Sequence, residues 1–208
     1  MAAILNNLRN TILVGLVLAL IMLVAFAQVS PHHFNDMAYW QAVFRWMHVF
    51  FGILWIGLLY YFNFVQSRKM PEIPAELKPA VSKFIAPEAL FWFRWGALMT
   101  VLAGIGIAAL EPAPYAEKVF TFGLAGGPDP ANNGYMLMGI GAYLALIMFL
   151  NVWGVIWPNQ KIALGIVAGD ADAKAKAGRI AGMASRVNVL LSLPMLTSMA
   201  MYETLFRG

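Results

Sequence analysis

Three residues stand where a lipid bilayer would make them costly. Arg45, His48 and Arg94 fall inside long apolar runs. A charged arginine at the centre of a membrane helix costs about 2.5–3.5 kcal/mol on insertion scales, so it turns toward a partner or a wet cavity. Arg45 and His48 are three residues apart and share one face of a helix. Gly52 follows His48 by four residues on that face, with Trp55 and Ile56 beyond it. The segment offers an imidazole, a cation one turn to one side and a glycine gap one turn to the other. Two chemistries fit. In one, His48 gives an axial nitrogen to a b-type haem, Gly52 lets the flat ring approach the backbone, and Arg45 meets a propionate. In the other, His48 hydrogen-bonds inside a helical bundle, and Gly52 and Gly57 serve helix packing. His32 and His33 precede the apolar run, so a second axial ligand would be Met, a residue of another chain, or absent.

Arg94 sits in Phe91-Trp92-Phe93-Arg94-Trp95, with Glu88 six residues before it. It suits either an anion or propionate site, or an arginine that snorkels to the headgroups within an aromatic belt. Asn151, Asn159, Gln160, Arg186 and Asn188 could bind a polar ligand or join neighbouring helices by hydrogen bonds. The Met residues and aromatic stripes read as packing. There is no cysteine, which excludes disulfides, thiolate metal sites, iron–sulfur clusters and a covalently attached c-type haem.

The elements that must position these residues are membrane helices. The chain is 61% hydrophobic and 12% charged, far from the half apolar and quarter charged make-up of a soluble domain. About 20 apolar residues span a bilayer, and five segments qualify, near 11–29, 37–66, 87–110, 135–157 and 177–202. They predict an all-α, polytopic bundle forming one domain over residues 1–208. The first run exceeds the usual h-region of a signal peptide and reads as a retained helix. Pro87 suits a first turn, Pro158 is expected to stop the fourth helix, and Pro194 to kink the fifth. Residues 71–79 and 169–176 read as a connector and a turn. Residues 111–133 form a long Pro- and Gly-rich loop whose Tyr115, Phe120 and Phe122 should pack on the bundle or on a partner.

Arg9 precedes the first helix. Arg68, Lys69, Lys78 and Lys83 lie between the second and third, and Lys161, Lys174, Lys176 and Arg179 between the fourth and fifth. The other side carries only Lys118 and Arg207. Basic loops mark the cytoplasmic side, so the N-terminus is expected inside and the C-terminus outside. The net charge of +4 follows this pattern and gives no reason to expect nucleic acid.

Arg45-Trp46-Met47-His48 with Gly52-Ile53-Leu54-Trp55-Ile56-Gly57 and Tyr61-Phe62 resembles the membrane-embedded N-terminal domain of the bacterial cytochrome-c-linked urate oxidase (urate hydroxylase) family. Phe91-Trp92-Phe93-Arg94-Trp95 is similar to a Trp-Phe-Lys-Trp segment of that family. Asn151 with Trp157-Pro158-Asn159-Gln160 is similar to its Asn followed by Pro-Asn-Gln, and Ser192-Leu193-Pro194 to its Ser-Leu-Pro. The landmarks keep their order over residues 37–202. The first also resembles a wider group of haem-binding four-helix membrane proteins, including the bacterial protoporphyrinogen oxidase. The chain departs where Val187 stands in place of a His, and where Tyr202 and Glu203 stand in place of an Asn-His pair. Family members are also longer and often carry a C-terminal cytochrome c domain.

The resemblance implies an electron-transfer or oxidoreductase subunit of the bacterial inner membrane. It would bind haem b, with His48 on the iron and Arg45, Gly52 and Arg94 around the cofactor. Electrons would pass to an external cytochrome c or to another membrane subunit. The departures imply the alternative, a non-catalytic accessory or scaffold subunit of a larger membrane complex. A transporter finds little support, since there is no inverted repeat or pair of broken helices.

Overall fold

The computed structural model describes residues 2–206. Five long helices make up the chain: α1 Leu8–Val29, α2 Met37–Glu72, α3 Lys78–Leu110, α4 Asn133–Ala163 and α5 Ala171–Leu205. No strand occurs among the described residues. Each of the five is long and apolar enough to cross a membrane, and the chain is an all-α, multi-pass membrane protein. Arg207, one of the two basic residues counted on the side opposite the basic connections, lies outside the described residues.

Short polar side chains start three of the helices. Asn7 accepts from the Asn10 amide at 3.3 Å, Asp36 from Ala38 at 2.9 Å and Asp170 from Ala173 at 2.7 Å. Each satisfies a backbone donor that the first turn leaves without a partner.

The helices overrun the apolar segments that foretold them, and one proline behaves differently from expectation. Pro158 does not stop α4, which continues to Ala163. Pro87 does stand in the first turn of the regular α-helix Ala86–Leu110, although winding within α3 already starts at Lys78 through a π turn. A proline inside a helix lacks an amide hydrogen and clashes with the carbonyl four residues back. Each proline stands two residues after the end of a wide π turn, Val81–Ile85 and Val152–Ile156. There the amides of Ala86 and Trp157 reach back five residues, to Val81 and Val152. The wider winding moves the carbonyls out of the way of the ring. A third π turn, Tyr61–Gln66, carries α2 on to its basic end. Residues 171–176, expected as part of a turn, are the first coils of α5, capped by Asp170. Pro194 does lie within that helix.

Antiparallel registers tie α2 to α3 and α4 to α5. A Cβ at Gly96 would lie 3.4 Å from the Trp55 amide nitrogen, and one at Gly106 would strike the Phe44 ring. Gly141 leaves room for Ser198 and Met199 in the same way. Lipid tails are as apolar as leucine, so close backbone approach through small residues holds membrane helices together. The half of the bundle nearer the basic connections holds a core of Trp55, Leu59, Phe93, Met148 and Val152, all fully buried.

The long loop folds back onto α4, as its aromatics suggested. It contains a short helix, Tyr115–Phe120. Tyr143 donates a hydrogen bond to the Phe120 carbonyl at 3.0 Å, and its ring stacks on Phe122 with centroids 5.0 Å apart. Val119 is buried beneath this layer. Helix α1 differs from the other four. Of its residues only Ala27 is buried. It is held near its end by Tyr39, which donates to the Leu23 carbonyl at 3.2 Å, and by His33, whose Nδ1 lies 2.6 Å from the Ala27 carbonyl.

Candidate functional site

Helices α2 and α3 place His48. Its Nδ1 lies 2.8 Å from the Thr100 carbonyl oxygen. A carbonyl only accepts, so Nδ1 carries the hydrogen and Nε2 keeps its lone pair. Nε2 has no hydrogen-bond partner among the described residues. The Thr100 hydroxyl turns back along its own helix and donates to the Gly96 carbonyl at 2.7 Å. Gly104 makes room for the ring, since a Cβ there would lie 3.1 Å from Cε1 and 3.2 Å from Nδ1 of His48. Three features thus set the imidazole: the half-buried face of α2, one backbone acceptor on α3 and one missing side chain.

Gly52 faces the same neighbour. A Cβ at Gly52 would rest 3.8 Å from the Thr100 methyl, an ordinary contact, so α3 covers that gap. Arg45 reaches across to α5 and pairs with Glu203. Both side chains are about a third exposed, at 32% and 39%. Arg45 also lines an open groove along the first half of α2, with Ala38, Gln41, Ala42, Trp46 and Val49. One wall residue is fixed, as Gln41 donates to the Leu110 carbonyl at 2.7 Å.

Arg94 belongs to a different place. It lies six residues before Thr100 on α3, roughly 9 Å along the axis toward the basic end. Its guanidinium stacks on the Trp157 ring at 3.8 Å and lies 5.4 Å from the Phe91 centroid. Nη1 is enclosed and has no hydrogen-bond partner. Glu88 is engaged elsewhere, accepting from Trp92 Nε1 at 2.9 Å. The structure therefore gathers His48, Gly52, Thr100 and Gly104, puts Arg45 one turn away with Glu203, and separates Arg94.

The asparagines join helices. Asn151 donates from Nδ2 to the Ala184 carbonyl and to Asn188 Oδ1, both at 2.8 Å. Asn188, fully buried, donates to the Met148 carbonyl at 3.0 Å. Tyr60 and Ser192 hydroxyls meet at 3.0 Å, and Asn63 donates to Ser185 Oγ at 2.8 Å. Polar groups thus link α2, α4 and α5 across the bundle.

Between α1 and α2, His32 Nδ1 lies 2.5 Å from Asp36 Oδ2. This bond, with the one from the Ala38 amide, holds the Asp36 carboxyl below the ordinary carboxylate range.

Thr100 and Gly104 were not singled out by the sequence, and Glu203 was noted there only as a departure from the urate oxidase pattern, not as a partner of Arg45. Gly96, Thr100 and Gly104 recur every four residues, a small-residue stripe that marks a helix-packing face. That stripe was the available signal. The pairing of Glu203 with Arg45 had none, because nothing in the sequence relates the two positions.

No protein-family model, curated protein or solved structure matches the chain. His48 fits an axial ligand: a metal-binding imidazole characteristically donates its other ring N–H to a carbonyl or carboxylate, which fixes tautomer and orientation. The surroundings fit less closely. Gly52 is covered by α3, and Arg45 already has a counter-charge. Among the described residues no group of three or more His, Asp or Glu could hold a bare metal ion.

Proposed function

We propose that this chain is a membrane-embedded electron-transfer subunit that holds a b-type haem through His48. One observation carries the proposal. The imidazole is anchored through Nδ1 to a backbone carbonyl at 2.8 Å, and this leaves the Nε2 lone pair without a protein partner. The resemblance of the His48 segment to haem-binding membrane proteins supports the same reading. A haem bound there would supply one-electron redox chemistry. Thr100 would fix the tautomer and raise the basicity of the ring. Gly104 would keep the ring from being pushed off its acceptor. Arg45 and Glu203 would hold the neighbouring charge balance near neutral. Electrons would leave to an external cytochrome c or to another subunit of a bacterial inner-membrane complex, with the basic connections in the cytoplasm.

The second reading is an accessory subunit without chemistry of its own. The cover that the Thr100 methyl gives Gly52 favours it, because a filled gap needs no cofactor. An absorbance spectrum of the purified protein separates the two. A Soret band that shifts on reduction, with α and β bands sharpening, supports the haem subunit. A protein that is folded and colourless overturns it and leaves the accessory reading.

A further inference from the structure

We propose that the basic end of the bundle carries a phosphate-binding site, in which Arg94 and Lys161 grip the headgroup phosphate of an anionic phospholipid. Trp157 organises the two cations. The Arg94 guanidinium lies 3.8 Å over its ring, and the Lys161 ammonium 5.8 Å from the same centroid. Ring quadrupoles attract cations without neutralising them. Among the described residues neither cation has a carboxylate partner. Glu88, six residues before Arg94 on α3, is committed to Trp92.

Donors without acceptors accumulate at this place. Arg94 Nη1 is enclosed and unbonded, and so is Trp153 Nε1. Trp153 lies one turn before Trp157 on α4 and packs edge-on against Trp95, the neighbour of Arg94, at 5.7 Å. Trp95–Trp153 and Arg94–Trp157 are thus successive rungs between α3 and α4. An enclosed guanidinium nitrogen that finds no acceptor leaves the open edge of the group to carry its hydrogen bonds. A phosphate oxygen matches that fork, because guanidinium and phosphate pair in a bidentate way.

Location decides between a lipid and a free anion. Trp157 and Lys161 lie in the last turns of α4, which ends at Ala163, on the side of the bundle that carries the basic connections. Phe91, Trp92 and Trp95 beside Arg94 expose broad apolar faces outward from the bundle. Such faces suit acyl chains, and a free phosphate would not use them.

Native mass spectrometry tests the site. The protein is released from vesicles of equal phosphatidylglycerol and phosphatidylcholine, and retained lipid is counted. Wild type is expected to keep phosphatidylglycerol in preference. Arg94→Gln and Lys161→Gln should each lower that retention about tenfold, the worth of one lost charge-assisted hydrogen bond. Arg94→Lys should keep part of it. Equal retention of the two lipids by wild type overturns the proposal, as does unchanged retention in both variants. Lys161 lies near the end of its helix, so Lys161→Gln remains a test even if Arg94→Gln fails to fold. A second arm measures thermal unfolding in detergent with inorganic phosphate against chloride at equal ionic strength. Stabilisation by phosphatidylglycerol alone supports the lipid. Equal stabilisation by inorganic phosphate overturns the lipid assignment in favour of a free anion.

Discussion

Gly104 controls how the His48 ring meets α3, and enlarging it gives a graded perturbation of the site. A Cβ built there would lie 3.1 Å from Cε1 and 3.2 Å from Nδ1, where ordinary contact begins at 3.4 Å. Gly104→Ala therefore asks the ring to retreat by roughly 0.3 Å. The Nδ1 to Thr100 bond starts at 2.8 Å, and the same retreat leaves it near 3.1 Å, still inside the hydrogen-bond range. Alanine should weaken the anchor without breaking it. Gly104→Val adds two more carbons toward the ring and should break it. The expected loss is about 1 kcal/mol for the bond, within the range measured for polar contacts between membrane helices, and about 1–3 kcal/mol for overpacking. Nitrogen NMR of histidine-labelled protein in detergent reads the Nδ1–H directly, and thermal unfolding reads the stability. A small Nδ1 shift in alanine and a collapsed or exchanging signal with a lowered midpoint in valine are expected. Wild-type spectra and midpoint in Gly104→Val would refute the packing of His48 on α3.

The remaining predictions concern the frame around the site. Asn188→Leu removes both bonds that this buried side chain makes with α4 and should cost about 1–2 kcal/mol in mixed-micelle unfolding; an unchanged or raised stability would sink the linking role. Asp36 caps α2 with a carboxyl held below its ordinary range, so its contribution is complete above that range and fades as pH falls through the lowered value. Hydrogen exchange at Ala38 should accordingly quicken only in acid below the usual carboxylate range, and should be fast at neutral pH in Asp36→Ala. Reporter fusions at Lys78 and Asn132 should mark opposite sides of the membrane, with Lys78 cytoplasmic; a common side would refute the orientation.

Which parts were legible follows from what each requires of the sequence. Membrane helices need only a sustained apolar run, so all five could be seen. Their ends could not, because winding continues beyond the apolar segment into the headgroup region. Pro158 illustrates the reason: the π turn before it depends on backbone hydrogen bonds, which leave no mark in side-chain pattern. The packing of the long loop was legible through Tyr115, Phe120 and Phe122, since exposed aromatics gain from burial. For His48, the cost of an imidazole in lipid gave its inward face. Its acceptor stayed hidden, because every backbone carbonyl looks alike in a sequence. Arg45 and Glu203 are far apart in the chain, and only the fold brings them together. Arg94 could be placed in an aromatic belt, but its separation from His48 required the register of α3.

The proposed role of His48 as the ligand of a haem iron is decided by the haem content per protein. Pyridine haemochrome titration would be run on wild type, His48→Ala and His48→Gln. Glutamine can still donate to the Thr100 carbonyl, so it separates loss of the iron ligand from loss of the anchor. Haem b is expected in wild type at close to one per chain and almost none in either variant, with both variants folded. Haem retained in His48→Gln and His48→Ala at the wild-type ratio, or a folded wild type without haem, would contradict it.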